Sequence, residues 1–113
     1  NDTFGHKSGD NVLKKLSNSI SSQLRDADSM ARWGGEEFLI VTPMVDINES
    51  SKLAEKLRLN IESIKCDNEI HFTCSFGVTE FDADNDSIDS FIRKADLAMY
   101  DAKAKGKNRI STK

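Results

Sequence analysis

No apolar run in this chain approaches the roughly 20 residues that a membrane-spanning helix needs, so that class of segment is excluded. Charge is equally uncommitted, with 16 basic against 19 acidic side chains and a net charge of -3. Without a global excess of positive charge there is no general pull toward DNA, RNA or an anionic membrane, and any polyanion site has to be local. Cysteine is scarce. Cys66 and Cys74 lie among charged or alternating residues without metal-ligand spacing, which reads as free thiols in a reducing cytosol. Internal repeats and low-complexity linkers are missing, and Asn1-Asp2-Thr3-Phe4 carries no basic-then-apolar leader. The chain reads as opening mid-pattern, with further sequence expected before Asn1.

What remains suits one domain over residues 1–113, since 37% hydrophobic residues in a chain of this length supply one core. Its most distinctive stretch is Arg32-Trp33-Gly34-Gly35-Glu36-Glu37-Phe38-Leu39-Ile40-Val41, two apolar runs joined by a Gly-Gly pair and followed at once by two carboxylates. Glycines that tolerate positive φ between aromatic and β-branched runs predict a β-hairpin. Two readings of its acids are open at this level. They hold a divalent cation or act as a general base, or they keep an exposed turn solvated.

Before the hairpin, Asn1 to Gly9 reads as a polar loop running into a helix capped by Ser8 or Asp10, with Leu13, Leu16, Ile20 and Leu24 on its apolar face. Free N–H groups at such a helix start can accept phosphate, although no GxxxxGK[ST] signature is present. His6 reads as a hydrogen-bonded loop residue. Arg25 is placed to complement the end of that helix and Asp28 to start a turn.

After the hairpin, Pro43 ends the second strand and a helix is predicted from Asn48 or Glu49 to Ile64, with Leu53, Leu57, Ile61 and Ile64 inward. Lys52, Glu55, Lys56 and Arg58 fall mostly off that face and read as a solvated charged surface. Alternation from Ile70 to Thr79 predicts a half-buried strand. Asp82 to Asp86 lacks the glycine and distal glutamate of an EF-hand and reads as a polar connector. Ile88, Phe91, Ile92, Ala95, Ala98, Met99 and Ala102 predict a third helix from Ser87 to Lys105, stopped by Gly106, with a short strand at Asn108-Arg109-Ile110. Lys103, Lys105, Lys107, Arg109 and Lys113 concentrate positive charge there, either as helix-dipole partners or as a site for a triphosphate. The order helix, hairpin, helix, strand, helix, short strand predicts an α/β (α+β) sandwich whose sheet is mostly antiparallel.

Taken together, Asn1-Asp2-Thr3-Phe4-Gly5-His6-Lys7-Ser8-Gly9-Asp10, Ala31-Arg32-Trp33-Gly34-Gly35-Glu36-Glu37-Phe38, Ser75-Phe76-Gly77-Val78, Ala95 to Lys103 and Gly106-Lys107-Asn108 resemble the GGDEF diguanylate cyclase domain. The resemblance covers essentially the whole chain and starts inside the family's pattern. It implies a nucleotidyl-cyclase or polymerase-palm-like fold whose first strand, with a metal-binding Asp, precedes Asn1. It further implies that Asn1 and Asp10 hydrogen-bond guanine, a carboxylate being matched to guanine's donor edge and not to adenine's. Glu36 would ligate Mg²⁺ or Mn²⁺ near a ribose 3′-hydroxyl, with Glu37 beside it. Lys103 and Lys107 would contact the triphosphate, Lys107 standing where relatives often carry Arg. Arg25 and Asp28 would form an RxxD product-inhibition site, with Lys52 and Lys56 where some relatives supply another Arg. The implied reaction joins two GTP molecules into cyclic di-GMP across an antiparallel homodimer, in the cytosol and under an upstream sensor or receiver domain. Without the upstream strand, the 113-residue chain is expected to be inactive. The alternative is a degenerate domain that binds GTP or cyclic di-GMP as a sensor.

Overall fold

A computed structural model describes residues 5–33, 37–64 and 73–113, with residues 5–11 described by backbone alone. The first helix, α1, spans Gly5–Ser21, so it begins ahead of the expected cap at Ser8 or Asp10, and positions 5–9 are helix rather than loop. Glycine in a helix costs about 1 kcal/mol relative to alanine, a penalty that extension of an already nucleated helix can absorb. Val12, Leu16 and Ile20 are its buried stripe. The helix stops at Ser21 because polar side chains compete for its last carbonyls. Ser21 and Ser22 Oγ donate to Asn18 and Ser19 O, and Gln23 Nε2 donates to Ser19 O.

Strands β1 (Ser29–Arg32) and β2 (Phe38–Val41) pair antiparallel, from Ser29 opposite Val41 to Arg32 opposite Phe38. The hairpin expected from sequence is thereby present. Asp46 caps α2 (Ile47–Glu62), accepting from the Glu49 N–H at 2.9 Å. Ala54, Leu57 and Ile61 of α2 are buried. Leu16, Ile20, Leu57 and Ile61 form the core, against which Leu24, Met30, Phe38, Ile40, Leu53, Ile64, Cys74 and Phe76 pack. Phe38 and Ile40 are two apart in β2 and so share a face, which seats the hairpin on the α1/α2 layer.

The alternating strand is shorter than predicted. β3 is Phe76–Val78, positions 73–75 are irregular, and the expected Ile70 to Phe72 portion lies outside the described residues. It is also covered on both faces rather than one. Phe76 packs toward the α1/α2 core, whereas an added Cβ on Gly77 would lie 2.1 Å from Ala95 O and 2.3 Å from Met99 N of α3 (Ile88–Ala104). Only a residue without a side chain lets the helix backbone sit that close, and the fully buried Ala98 and Ala102 complete the contact. Ser87 and Ser90 form a reciprocal capping box at the start of α3. Strand β4 (Ile110–Thr112) returns parallel to β3, Phe76 opposite Ile110, with α3 as the crossover that parallel pairing requires. It begins later than expected because Lys107 and Asn108 have φ of 62° and 47°, a conformation no strand can hold.

Among the described residues, then, the chain is a mixed α/β fold with helices packed on one antiparallel and one parallel strand pair.

Candidate functional site

The hairpin closes on the Trp33 N–H, which donates to Glu37 O at 2.8 Å. This bond continues the strand register, so the half-buried Glu37 stands at the entry to β2. Glu36 and Asn1 lie outside the described residues. Asp10 falls within α1 by backbone position, with its side chain outside the description. The helix start expected at Ser8 or Asp10 lies instead at Gly5, which leaves Ser8 in the first turn, where N–H groups are free, and Asp10 beyond it. Among the described residues no three His, Cys, Asp or Glu side chains group as a metal site.

Arg25 and Asp28 do come together, in the loop between α1 and β1. Arg25 Nη2 and Nε donate to Asp28 Oδ1 at 2.7 and 3.1 Å, and the Arg25 N–H donates to Oδ2 at 2.8 Å. In return the Asp28 N–H donates to Arg25 O at 3.0 Å. The helix-end role considered for Arg25 is thus replaced by a closed turn of its own. The guanidinium holds the Asp28 carboxyl below the usual carboxylate range, chiefly through these hydrogen bonds. Arg25 Nη2 also donates to Pro43 O at 2.9 Å, tying the turn to the end of the hairpin. The Asp28 side chain is only 2% exposed while that of Arg25 is 52% exposed, so a guanidinium is held out on a buried carboxylate anchor. The Pro43 carbonyl was not foreseeable, because a backbone acceptor leaves no mark in a side-chain pattern.

Lys103 and Lys107 are both exposed and flank the C-terminal end of α3. That end is a Schellman turn, with Gly106 N–H donating to Lys103 O at 3.3 Å and Lys107 N–H to Ala102 O at 3.0 Å. Gly106 has φ of 126°, which suits glycine. Burial pushes the Cys74 thiol up to about 11, with the positive charge of Lys103 acting weakly the other way. Cys74 is a free thiol, as expected; Cys66 lies outside the described residues.

Arg58 departs from the expected solvated surface. Its side chain is 15% exposed, pairs with Glu55 at 2.6 and 2.8 Å, and donates to Asn108 Oδ1 at 2.9 Å. The Glu55/Arg58 spacing is legible on a helix, but a partner on the far side of α3 is not. The Asp82 to Asp86 connector is a polar loop, as expected. Its carboxylates accept from the loop's own amides and from Lys94, whose Nζ is 2.6 Å from Asp86 Oδ2.

Comparison with known proteins bears on this geometry. The family described as diguanylate cyclase, GGDEF domain, matches residues 1–109. Diguanylate cyclase A of Treponema denticola is 39% identical over 98% of this chain, which spans 31% of that relative's length. The active GGEEF domain of a diguanylate cyclase from Vibrio cholerae superposes with a TM-score of 0.92 at 33% identity, covering 99% of this chain and 72% of that one. The GGDEF domain of DgcB from Caulobacter crescentus, solved in complex with c-di-GMP, superposes with a TM-score of 0.91 at 30% identity, covering 99% and 68%. No described helix is long and apolar enough to cross a membrane. With β1 and β2 paired and nearly its whole length matched, the chain belongs to the diguanylate cyclase GGDEF-domain family.

Proposed function

We propose that this chain is the catalytic domain of a cytosolic enzyme that converts two GTP molecules to cyclic di-GMP and two pyrophosphates. The observation that carries the reading is the family match over residues 1–109, with Glu36 and Glu37 in its signature position. Asn1 and Asp10 bind guanine, where a carboxylate accepts from the N1–H and the exocyclic amine and so selects GTP over ATP. Lys103 and Lys107 bind the triphosphate, Lys107 as a point charge in place of a bidentate fork.

In each half-reaction a ribose 3′-oxygen attacks the α-phosphorus of the other GTP. A P–O bond forms there as the bond to the β-phosphate side breaks, and pyrophosphate leaves. Glu36 receives or helps displace the hydroxyl proton, with Glu37 supporting it. Carboxylate oxygens are the donor type that a hard divalent cation takes; Glu37 offers one where the hairpin closes, and its neighbour Glu36 would hold Mg²⁺ or Mn²⁺. When bound, the cation lowers the hydroxyl pKa and offsets phosphate charge. One domain holds one GTP, so two copies face each other across a two-fold axis.

Arg25 and Asp28 form the site where product inhibits. The exposed face of Arg25 is available for a phosphate or a stacked guanine. The Asp28 side chain is almost fully covered and held by Arg25, so a guanine edge reaches it only if that guanidinium moves aside. An upstream sensor or receiver domain supplies the input signal.

The test is incubation of the full-length protein with GTP and Mg²⁺, followed by chromatography. Cyclic di-GMP and pyrophosphate are expected, and Glu36→Gln should reduce their formation by about 100-fold or more. Nucleotide binding without product would favour the sensor alternative instead.

A further inference from the structure

Two non-glycine residues in succession, Lys107 and Asn108, adopt left-handed backbone with φ of 62° and 47° directly after Gly106 at 126°. Such conformations persist where surrounding contacts over-determine them, and they cluster at functional sites. Asparagine enters this region readily, whereas lysine does so rarely. Here one of them carries an exposed lysine. The contacts that hold the turn come from two sides. From the end of α3, the Schellman bonds fix Gly106 and Lys107, and Arg109, just before β4, donates from Nε to Lys107 O at 3.2 Å. From α2, Arg58 Nη1 donates to Asn108 Oδ1 at 2.9 Å and to Asn108 O at 3.3 Å, while Asn108 Nδ2 donates to Glu62 Oε2 at 2.5 Å. Arg58 is itself locked, with Nε and Nη2 on the two oxygens of Glu55 and Nη1 3.9 Å from Glu62 Oε2.

We propose that Arg58, clamped by Glu55 and Glu62, is a positioning residue for phosphate binding: by holding Asn108 it fixes the left-handed turn that presents Lys107 to the nucleotide. The inference rests on the assignment of Lys107 to the triphosphate. Arg58 touches no substrate in this scheme and acts through Asn108. Its guanidinium is suited to the task because Nε and Nη2 meet both oxygens of Glu55 side-on while Nη1 reaches Asn108, a fixed geometry that a single ammonium does not reproduce.

The test is a double-substitution cycle on the full-length protein, reading KM for GTP, kcat and Tm. Arg58→Met is expected to raise KM about tenfold with kcat within about twofold. Lys107→Ala should raise KM by a similar factor, and adding Arg58→Met to it should change KM less than twofold, since the two act through one contact. Arg58→Lys should fail to restore KM. If the two effects simply multiply, or if Arg58→Met lowers Tm and leaves KM unchanged, the positioning role is overturned. If Lys107→Ala leaves KM unchanged, the phosphate assignment itself fails, and with it the inference. Should Arg58→Met not fold, Asn108→Gly serves. Glycine adopts positive φ without strain yet severs both side-chain links, so KM should rise about threefold, and an unchanged KM overturns the proposal.

Discussion

In the hairpin of β1 and β2, paired residues such as Ala31 and Leu39 lie within one short stretch of chain, whereas Phe76 and Ile110 of β3 and β4 meet only across the whole of α3. Local pairing needs little loop closure, so turn residues and flanking apolar runs suffice to specify it. The parallel pair depends instead on α3 seating against Gly77, Ala98 and Ala102, a contact made of absences of side chain. The same contrast separates the two candidate sites. Arg25 and Asp28 find each other three residues apart, while the turn carrying Lys107 is held from α2 by Arg58. A site on a local element tolerates change elsewhere; a site on a non-local one inherits every weakness of its supports.

The contrast can be broken most severely at Gly77. Gly77→Ala drives a methyl into the α3 backbone and should cost about 3 kcal/mol, read by denaturant unfolding, because overpacking against main chain cannot be relieved by a rotamer change. A small loss would mean that β3 and α3 separate easily, and the difference between the two strand pairs would collapse. Arg25→Ala examines the local side. It should weaken inhibition by cyclic di-GMP about tenfold, equivalent to about 1.4 kcal/mol, while turnover at low product persists. An unchanged inhibition constant would remove the RxxD turn from the regulatory scheme.

Ser87→Ala deletes the acceptor at the start of α3 and should lower stability by about 1 kcal/mol, with the loss concentrated in the β3, α3 and β4 region when followed by hydrogen exchange. Acid should act more evenly. The folded carboxyls of Asp28, Glu55, Asp82, Asp86 and Asp101 are all held below their ordinary values, led in each case by a side-chain hydrogen bond. The folded state therefore binds fewer protons than the unfolded one at low pH. The stability these groups contribute is complete above the ordinary carboxylate range of about 4 and declines as pH falls below it. Thermal melts between neutral pH and pH 3 should show that direction, and a Tm that rose on acidification would contradict it.

Periodicity and turn chemistry make much of the fold legible in the sequence. The stripes Leu57/Ile61 and Ala98/Ala102 were visible as helical spacing, and the hairpin was visible in Gly34-Gly35 between apolar runs. Periodicity and turn chemistry are local properties, and these elements are locally determined. The start of α1 is not legible, because glycine and serine near Ser8 signal a boundary while helix propagation from a packed stripe overrides that signal. The role of Arg58 is hidden for a different reason. Its spacing on α2 describes only its own helix, and its decisive partner belongs to a turn far along the chain.

By itself, then, the sequence determined the helices and the hairpin, because each is written in near-neighbour spacing. Only the tertiary structure decided that β4 runs parallel to β3, that Asp28 is buried beneath Arg25, and that α2 grips the turn bearing Lys107. Those outcomes depend on which distant surfaces meet, and that is set by packing and burial rather than by the local pattern of the chain.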